Sequence, residues 1–380
     1  MELTIEKDKT LITHGPATLT LLEGNSRCLG MNLLPGLSLT IRRYKALPIY
    51  CATRSKFDLK IGANTHVDEV EGDTIPEDWK TAVNTIIEEC KSRKSLTVAV
   101  IGAIDTGKST FTTFLANTAI QAKLRVNITD ADLGQSDIGP PTTIGEYSMR
   151  RELCDLSREK PDRITFIGTT SPAHATSKIL TALSELSKRK RAEGGLNIFN
   201  TDGWVEGEEA TKYKLNLLHV IHPDTIVAIR CAHELEALLG EINRAGYEFI
   251  TVMTPPVVRR RSREDRKEIR EHAYLRYLQN SSIRVIPRDE LRVRGDPRWQ
   301  TGILVGLFDE EGELLGIGVL EAYAPDKGLV KIMTPVKGKI AELEFGQIII
   351  KDGKETPYRD LTAITSKSNH ETIKKGENQF

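Results

Sequence analysis

The clearest chemistry in the chain lies at Gly102-Ala103-Ile104-Asp105-Thr106-Gly107-Lys108-Ser109, which matches Gly-x4-Gly-Lys-[Ser/Thr] at every fixed position. An apolar run, Thr97-Val98-Ala99-Val100-Ile101, precedes it, and a helical stretch opens at Thr110. In a strand–loop–helix setting the glycines let backbone N–H groups wrap a phosphate, and the helix N-terminus adds partial positive charge. Lys108 can then reach the phosphate oxygens and Ser109 can ligate Mg²⁺. The motif predicts a nucleoside triphosphate site and leaves the acceptor open.

Asp130, Asp132 and Gln135 follow at the end of the next apolar run, where open α/β sheets place their ligand crevice. Two carboxylates two residues apart can hold a metal's water shell or accept a proton from an attacking hydroxyl. The plainer alternative is that they cap a strand–helix turn. No guanine-recognition Asn-Lys-x-Asp and no protein-kinase catalytic loop occurs downstream.

The elements that must position these residues follow three patterns. Period-two alternation fills the first stretch, as in Ala17-Thr18-Leu19-Thr20-Leu21 and Phe57-Asp58-Leu59-Lys60-Ile61, and predicts a small antiparallel sandwich. Residues 66–74 read as a polar linker. Trp79, Ala82, Val83, Ile86, Ile87 and Cys90 then share one helical face, with Pro76 near the first turn. Short apolar runs at 96–101, 124–128, 164–167, 196–199, 225–229 and 249–253 alternate with helical stretches, which predicts βαβ crossovers and a parallel sheet. Beyond residue 286 the β pattern returns, with a hairpin around Asp309-Glu310-Glu311-Gly312. The expected fold class is α/β, a central P-loop NTPase parallel sheet flanked by N-terminal and C-terminal β domains. Its expected divisions are 1–75, 76–286 and 287–365, with a polar tail at 366–380.

Composition narrows the class further. In 380 residues, Lys+Arg and Asp+Glu number 53 each, so bulk charge does not drive binding to polyanions, although a local basic patch still can. Cys28, Cys51, Cys90, Cys154 and Cys231 are scattered without a Cys-x-x-Cys, which fits a reducing compartment. The N-terminal residues show no signal-peptide pattern, and no apolar run approaches the ~20 residues that cross a bilayer. A cytoplasmic protein that engages no membrane is expected.

Four motifs together resemble the polynucleotide 5′-hydroxyl kinases related to the kinase subunit of the RNA 3′-end cleavage factor. They are the loop at 102–109; Asp130-Ala131-Asp132-Leu133-Gly134-Gln135 with its trailing Gly139-Pro140-Pro141-Thr142-Thr143-Ile144-Gly145; Asn200-Thr201-Asp202-Gly203-Trp204, similar to that family's Thr-x-Gly-Trp clasp; and an arginine-rich stretch at 259–270 in the place of its lid. The resemblance implies that ATP binds residues 102–109 and Thr110, with Ser109 on Mg²⁺ or another divalent cation. It implies Lys108 on the phosphates and Asp132 as general base towards a 5′-hydroxyl. Asp130, Gln135, Thr201 and Gly203 would serve the acceptor, and Trp204 would stack on its terminal nucleotide. Arg266 and Arg270, with Arg263 as a further candidate, would neutralise transition-state charge. RNA 5′-OH ends are the implied acceptor, single-stranded DNA a second one, and protein partners are unspecified. A P-loop kinase of a small metabolite and an ATP-bound scaffold of an RNA-processing assembly are the rival readings. Two basic clusters, Lys188-Arg189-Lys190-Arg191 and Arg292, Arg294 and Arg298, read equally as RNA-backbone contacts or as local structure.

Overall fold

A computed structural model describes residues 1–63, 65–258 and 260–358. Arg259, residues 359–365 of the expected C-terminal β domain and the tail at 366–380 lie outside the described residues. The chain forms two compact units, Met1–Ala273 and Tyr274 onward.

The first unit opens with two antiparallel sheets. One orders Glu2–Ile5, Ser55–Ile61, Ala17–Glu23 and Ser38–Ile41. The other orders Met31–Leu33, Ser26–Cys28, Ala46–Cys51, Lys9–His14 and Val67–Glu71. Alternation works as expected: Ala17, Leu19 and Leu21 point inward while Thr18 and Thr20 do not. The expected linker at 66–74 is corrected, because Val67–Glu71 is an edge strand paired with Lys9–His14. Its acidic residues mask the pattern; an edge strand needs only one paired side and carries charge against further pairing. Lys9 answers that charge through Glu69 and Glu71.

Helix α1 (Glu77–Ser92) buries the six residues expected of its face. Helices α2 (Lys108–Gln121), α3 (Thr176–Glu193), α4 (Glu208–Ile221), α5 (Glu236–Arg244) and α6 (Arg263–Tyr277) follow. The central sheet runs Arg163–Phe166, Thr143–Met149, Val126–Asp130, Gly195–Asn200, Ser95–Gly102, Thr225–Arg230, Phe249–Met253. The last five of these strands are parallel, and the first two are antiparallel to their neighbours. The expected parallel sheet is therefore present in five strands and becomes mixed at one edge. No helix intervenes between Val126–Asp130 and Thr143–Met149 to carry a crossover, so the chain turns back and pairs antiparallel. One apolar core runs from Leu19 and Phe57 of the sandwich through Trp79 and Phe111 to Val98 and Val100 of the sheet.

The second unit is a β sheet in the order Ser282–Pro287, Leu329–Thr334, Leu314–Ala324, Ile303–Phe308, Glu342–Lys351, Arg292–Arg294, with Lys354–Pro357 also paired to Glu342–Lys351. The expected hairpin is its Ile303–Phe308/Leu314–Ala324 pair. Its basic cluster is spent internally: Arg292 and Arg294 pair with Glu342, and Arg298 donates to the Gly346 carbonyl. In the first unit Arg189 and Lys190 likewise pair with buried Glu146, and Arg191 donates to the Ile221 carbonyl.

Trp79 is the prop beneath the glycine-rich loop. It is fully buried, its indole donates to the Met253 carbonyl at 2.8 Å, and its ring meets Phe111 edge-on at 5.1 Å. A side chain on Gly107 would come within 3.2 Å of that ring. Trp79→Ala should cost about 3–5 kcal/mol in urea unfolding, the range for emptying an aromatic site in a packed core. A loss below about 1 kcal/mol would show that the site collapses and the prop is dispensable.

Candidate active site

Strand Ser95–Gly102 lies between two parallel neighbours and delivers Gly102 to the sheet's carboxyl end. A side chain there would meet Thr106 Oγ1 at 2.7 Å and the Ile229 carbonyl at 3.0 Å. Asp105 and Gly107 take positive φ, 57° and 99°, which turns the loop into the first turn of α2. Lys108 is buried, and its Nζ donates to the Ala103 carbonyl at 2.7 Å, so the ammonium bridges the loop it is expected to serve. Burial lowers its pKa and the nearby Lys214 lowers it further, while Asp132, Asp202 and Asp105 pull it back up. Ser109 and Thr110 sit half-buried at the head of α2.

Asp130 ends its strand as the organiser of the loop that follows. Its carboxylate accepts from the backbone N–H of Asp132, Asp137 and Ile138, from Ser136 Oγ and from Asn200 Nδ2. Burial and the carboxylates of Asp137 and Asp132 push its pKa up to about 7 against those backbone donors. Asn200 Nδ2 also donates to Ser109 Oγ at 3.3 Å, and its buried Oδ1 has no hydrogen-bond partner among the described residues. Ser109 Oγ and the Asp130 carboxylate, both facing the Asn200 amide, are oxygen donors of the kind a hard divalent cation takes, and with that amide turned over Oδ1 would join them. The sequence places Asn200 at the head of the clasp motif without assigning it a role.

Asp132 holds the turn with one oxygen only: Oδ1 accepts from Gly134 N at 3.1 Å and Gln135 N at 2.9 Å. Burial raises its pKa; Lys108 and the two backbone donors lower it, and Asp202 raises it again. A carboxylate lifted in this way between a lysine and a second carboxylate is a stronger base than an ordinary one and is suited to accept a hydroxyl proton.

The clasp leaves the neighbouring strand, Gly195–Asn200. Thr201 is buried and donates to the Val100 carbonyl at 2.9 Å, which anchors the clasp to the neighbouring strand. Gly203 passes so close to the glycine-rich loop that a side chain would lie 2.8 Å from Ile104 N, which leaves room for glycine alone. Trp204 is half-buried and stacks on Tyr213 with centroids 5.5 Å apart. Asp202 fixes this pair: one carboxylate oxygen accepts from Trp204 N, the other from the Tyr213 hydroxyl, both at 2.9 Å. Lys214, with no exposed surface on its side chain, pairs with the same carboxylate at 2.9 Å. Asp202 stands at the variable position of its motif, and Tyr213 and Lys214 lie on α4 with no local signal, so sequence spacing could not find the group.

Helix α6 carries most of the arginine-rich stretch expected to serve as a lid. Ser262 caps it, accepting from Asp265 N and donating its own N–H to Asp265 Oδ2, both at 3.0 Å. Arg266 donates to Asp105 Oδ2 at 3.2 Å and to the Arg261 carbonyl at 2.7 Å, and Gln135 Nε2 donates to the Arg266 carbonyl at 3.3 Å. Arg261, inside the arginine-rich stretch but not among its named candidates, donates its backbone N–H to Asp105 Oδ2 at 2.9 Å. Arg270 is half-buried one turn further along α6, and Arg263 is exposed at the first turn. Tyr44 of the sandwich donates to Glu268. Lid, loop tip and Gln135 therefore meet at Arg266. Asp105→Ala should speed amide exchange at Arg261 and Arg266 by about tenfold or more while the exchange of Val98 and Val100 in the core stays slow. Unchanged exchange at Arg261 would remove Asp105 as the anchor.

Residues 102–280 match the family described as mRNA cleavage and polyadenylation factor CLP1 P-loop. A polyribonucleotide 5′-hydroxyl-kinase of Pyrococcus horikoshii is 27% identical, covering 76% of this chain and 95% of the relative. One of Methanocaldococcus jannaschii is 25% identical, with 76% and 96% covered. A solved structure describing the interface between Pcf11p and Clp1p superposes with a TM-score of 0.73 at 11% identity, covering 92% of this chain and 98% of that one, and shares its fold.

Proposed function

We propose that this chain, which carries the CLP1 P-loop domain over residues 102–280, is an ATP-dependent kinase that phosphorylates the 5′-hydroxyl of RNA. The observation that carries this reading is the contact of two parts that a metabolite kinase does not need together. The phosphate loop and a tryptophan clasp touch at Gly203 and Ile104, with Asp132 beside Lys108. Relatives covered over nearly their whole length are named polyribonucleotide 5′-hydroxyl-kinases, which supports RNA as the acceptor.

Lys108 exchanges the Ala103 carbonyl for the phosphate oxygens of ATP. Ser109, Asp130 and Asn200 would hold a divalent cation, Mg²⁺ being the natural choice, whose charge offsets that of the phosphates. Asp132 accepts the 5′-hydroxyl proton as that oxygen bonds to the γ-phosphorus; the bond to the β-phosphate oxygen breaks and ADP leaves. Trp204, held by Asp202 and Tyr213, stacks on the terminal nucleotide, and sequence-tolerant stacking suits an enzyme of RNA ends and admits single-stranded DNA. Arg266, with Arg270 further along α6, acts on the charge that spreads over the equatorial oxygens. The cytoplasm is the proposed compartment, in keeping with five free cysteines.

The direct test is transfer from γ-labelled ATP with Mg²⁺ to 5′-OH RNA, beside matched DNA and nucleosides. Lys108→Ala should lower the rate by roughly a hundredfold to a thousandfold. Retention of more than about a tenth of the rate would displace the phosphate site.

Asp132→Asn should leave ATP binding intact and lower transfer by ~10²–10⁴. Because its folded pKa is raised and the base acts ionised, wild-type kcat should fall as pH drops through a limb above the ordinary carboxylate range. That limb should vanish in Asp132→Asn, and an unshifted limb there would assign the base elsewhere.

Trp204→Ala should weaken 5′-OH oligonucleotide binding by ~1–3 kcal/mol with little change for ATP, and Trp204→Phe should recover part of the loss. Equal oligonucleotide affinity in a folded Trp204→Ala protein would dismiss the clasp.

A further inference from the structure

The edge of the five-stranded sandwich sheet gathers three side chains that the kinase chemistry does not use. Lys9–His14 pairs antiparallel with Val67–Glu71, Thr13 opposite Val67 and Ile12 opposite Asp68. The His14 N–H donates to the His66 carbonyl at 3.2 Å, which makes His14 and His66 cross-strand neighbours. Asp68 lies two residues beyond His66 and so shares its face. His14 Nε2 stands 3.1 Å from Asp68 Oδ2, and His66 Nε2 stands 3.6 Å from the same oxygen. One ligand atom from each residue lies within 4.8 Å of the others.

We propose that His14, His66 and Asp68 form a site for a zinc-class transition-metal cation, separate from the oxygen donors at Ser109, Asp130 and Asn200. Tetrahedral zinc with bonds of about 2.0–2.1 Å holds any two ligands about 3.3 Å apart. Both nitrogen–oxygen separations lie close to that edge. The imidazoles are stacked, centroids 3.9 Å apart and planes at 21°, so their lone pairs must converge through rotation about χ2. That torsion is broad for histidine, and the exposed His66 has room to turn. His14 is the sheltered anchor at 15% side-chain exposure, while His66 and Asp68, at 58% and 53%, leave the fourth position open to water. Two imidazoles and one carboxylate favour zinc, cobalt or nickel over Mg²⁺, which prefers oxygen throughout. The cation would tie the edge strand Val67–Glu71 to Lys9–His14, its neighbour in the sheet.

The test uses the full chain, stripped with chelator and titrated with zinc in excess Mg²⁺ by calorimetry and by thermal unfolding. The wild type should take up zinc at this site and gain Tm. His66→Ala and Asp68→Asn should each lose at least about tenfold in affinity and the zinc-dependent gain in Tm. Their Tm in chelator and their Mg²⁺-supported transfer should match the wild type. Cys231 is exposed, so zinc uptake that survives in His66→Ala would overturn the proposal by placing the metal elsewhere. Absence of wild-type binding at about 100 µM zinc, far above ordinary zinc-site affinity, would overturn it in favour of a hydrogen-bonded histidine stack.

Discussion

The alignment of three strand ends is the constraint on which the site depends. Asn200 lies opposite Val100 on one side and Asp130 on the other. Because parallel registers fix both pairings, the phosphate loop, the clasp and the carboxylate turn all leave the sheet from one row. Asn200 completes that row by bridging Asp130 and Ser109 with a single amide. A shift of one residue in either register would turn these side chains to the opposite face of the sheet and disperse the site.

Charge is concentrated at the same place. Lys108 and Lys214 stand among Asp132 and Asp202, two cations against two carboxylates in a buried setting. The roles divide by exposure. Lys214 and Asp202 are sealed and mutually satisfied, and breaking such a pair typically costs ~3–5 kcal/mol because the remaining charge stays buried. Lys108 and Asp132 keep only local hydrogen bonds, to the Ala103 carbonyl and from two backbone N–H groups. The sealed pair orients the clasp, and the other two are the residues proposed to serve phosphate and proton. The same economy ties the lid to the loop, since Asp105 engages both Arg261 and Arg266.

Features set by short-range spacing were legible in the amino-acid order. The glycine-rich loop, the buried face of α1, the alternation in the sandwich and the late hairpin each depend on residues within a few positions of one another. Asp130, Asp132, Gln135 and Trp204 could be named for the same reason. Their duties were less accessible: Thr201 is an anchor, Asp130 organises a loop, and three of the four residues in the Lys188–Arg191 cluster serve local structure.

By itself the sequence determined the motif chemistry and the β, α/β, β order, because local sterics and periodicity act before distant contacts form. Tertiary structure alone decided the rest. The antiparallel turn-back of Thr143–Met149 and the edge strand Val67–Glu71 depend on which neighbour offers backbone partners. Asp105 meets Arg261 and Arg266 across 156 and 161 residues, and Lys214 meets Asp202 from a different element. Such partners carry no periodic trace, since charge pairing requires proximity in space and imposes no fixed separation along the chain.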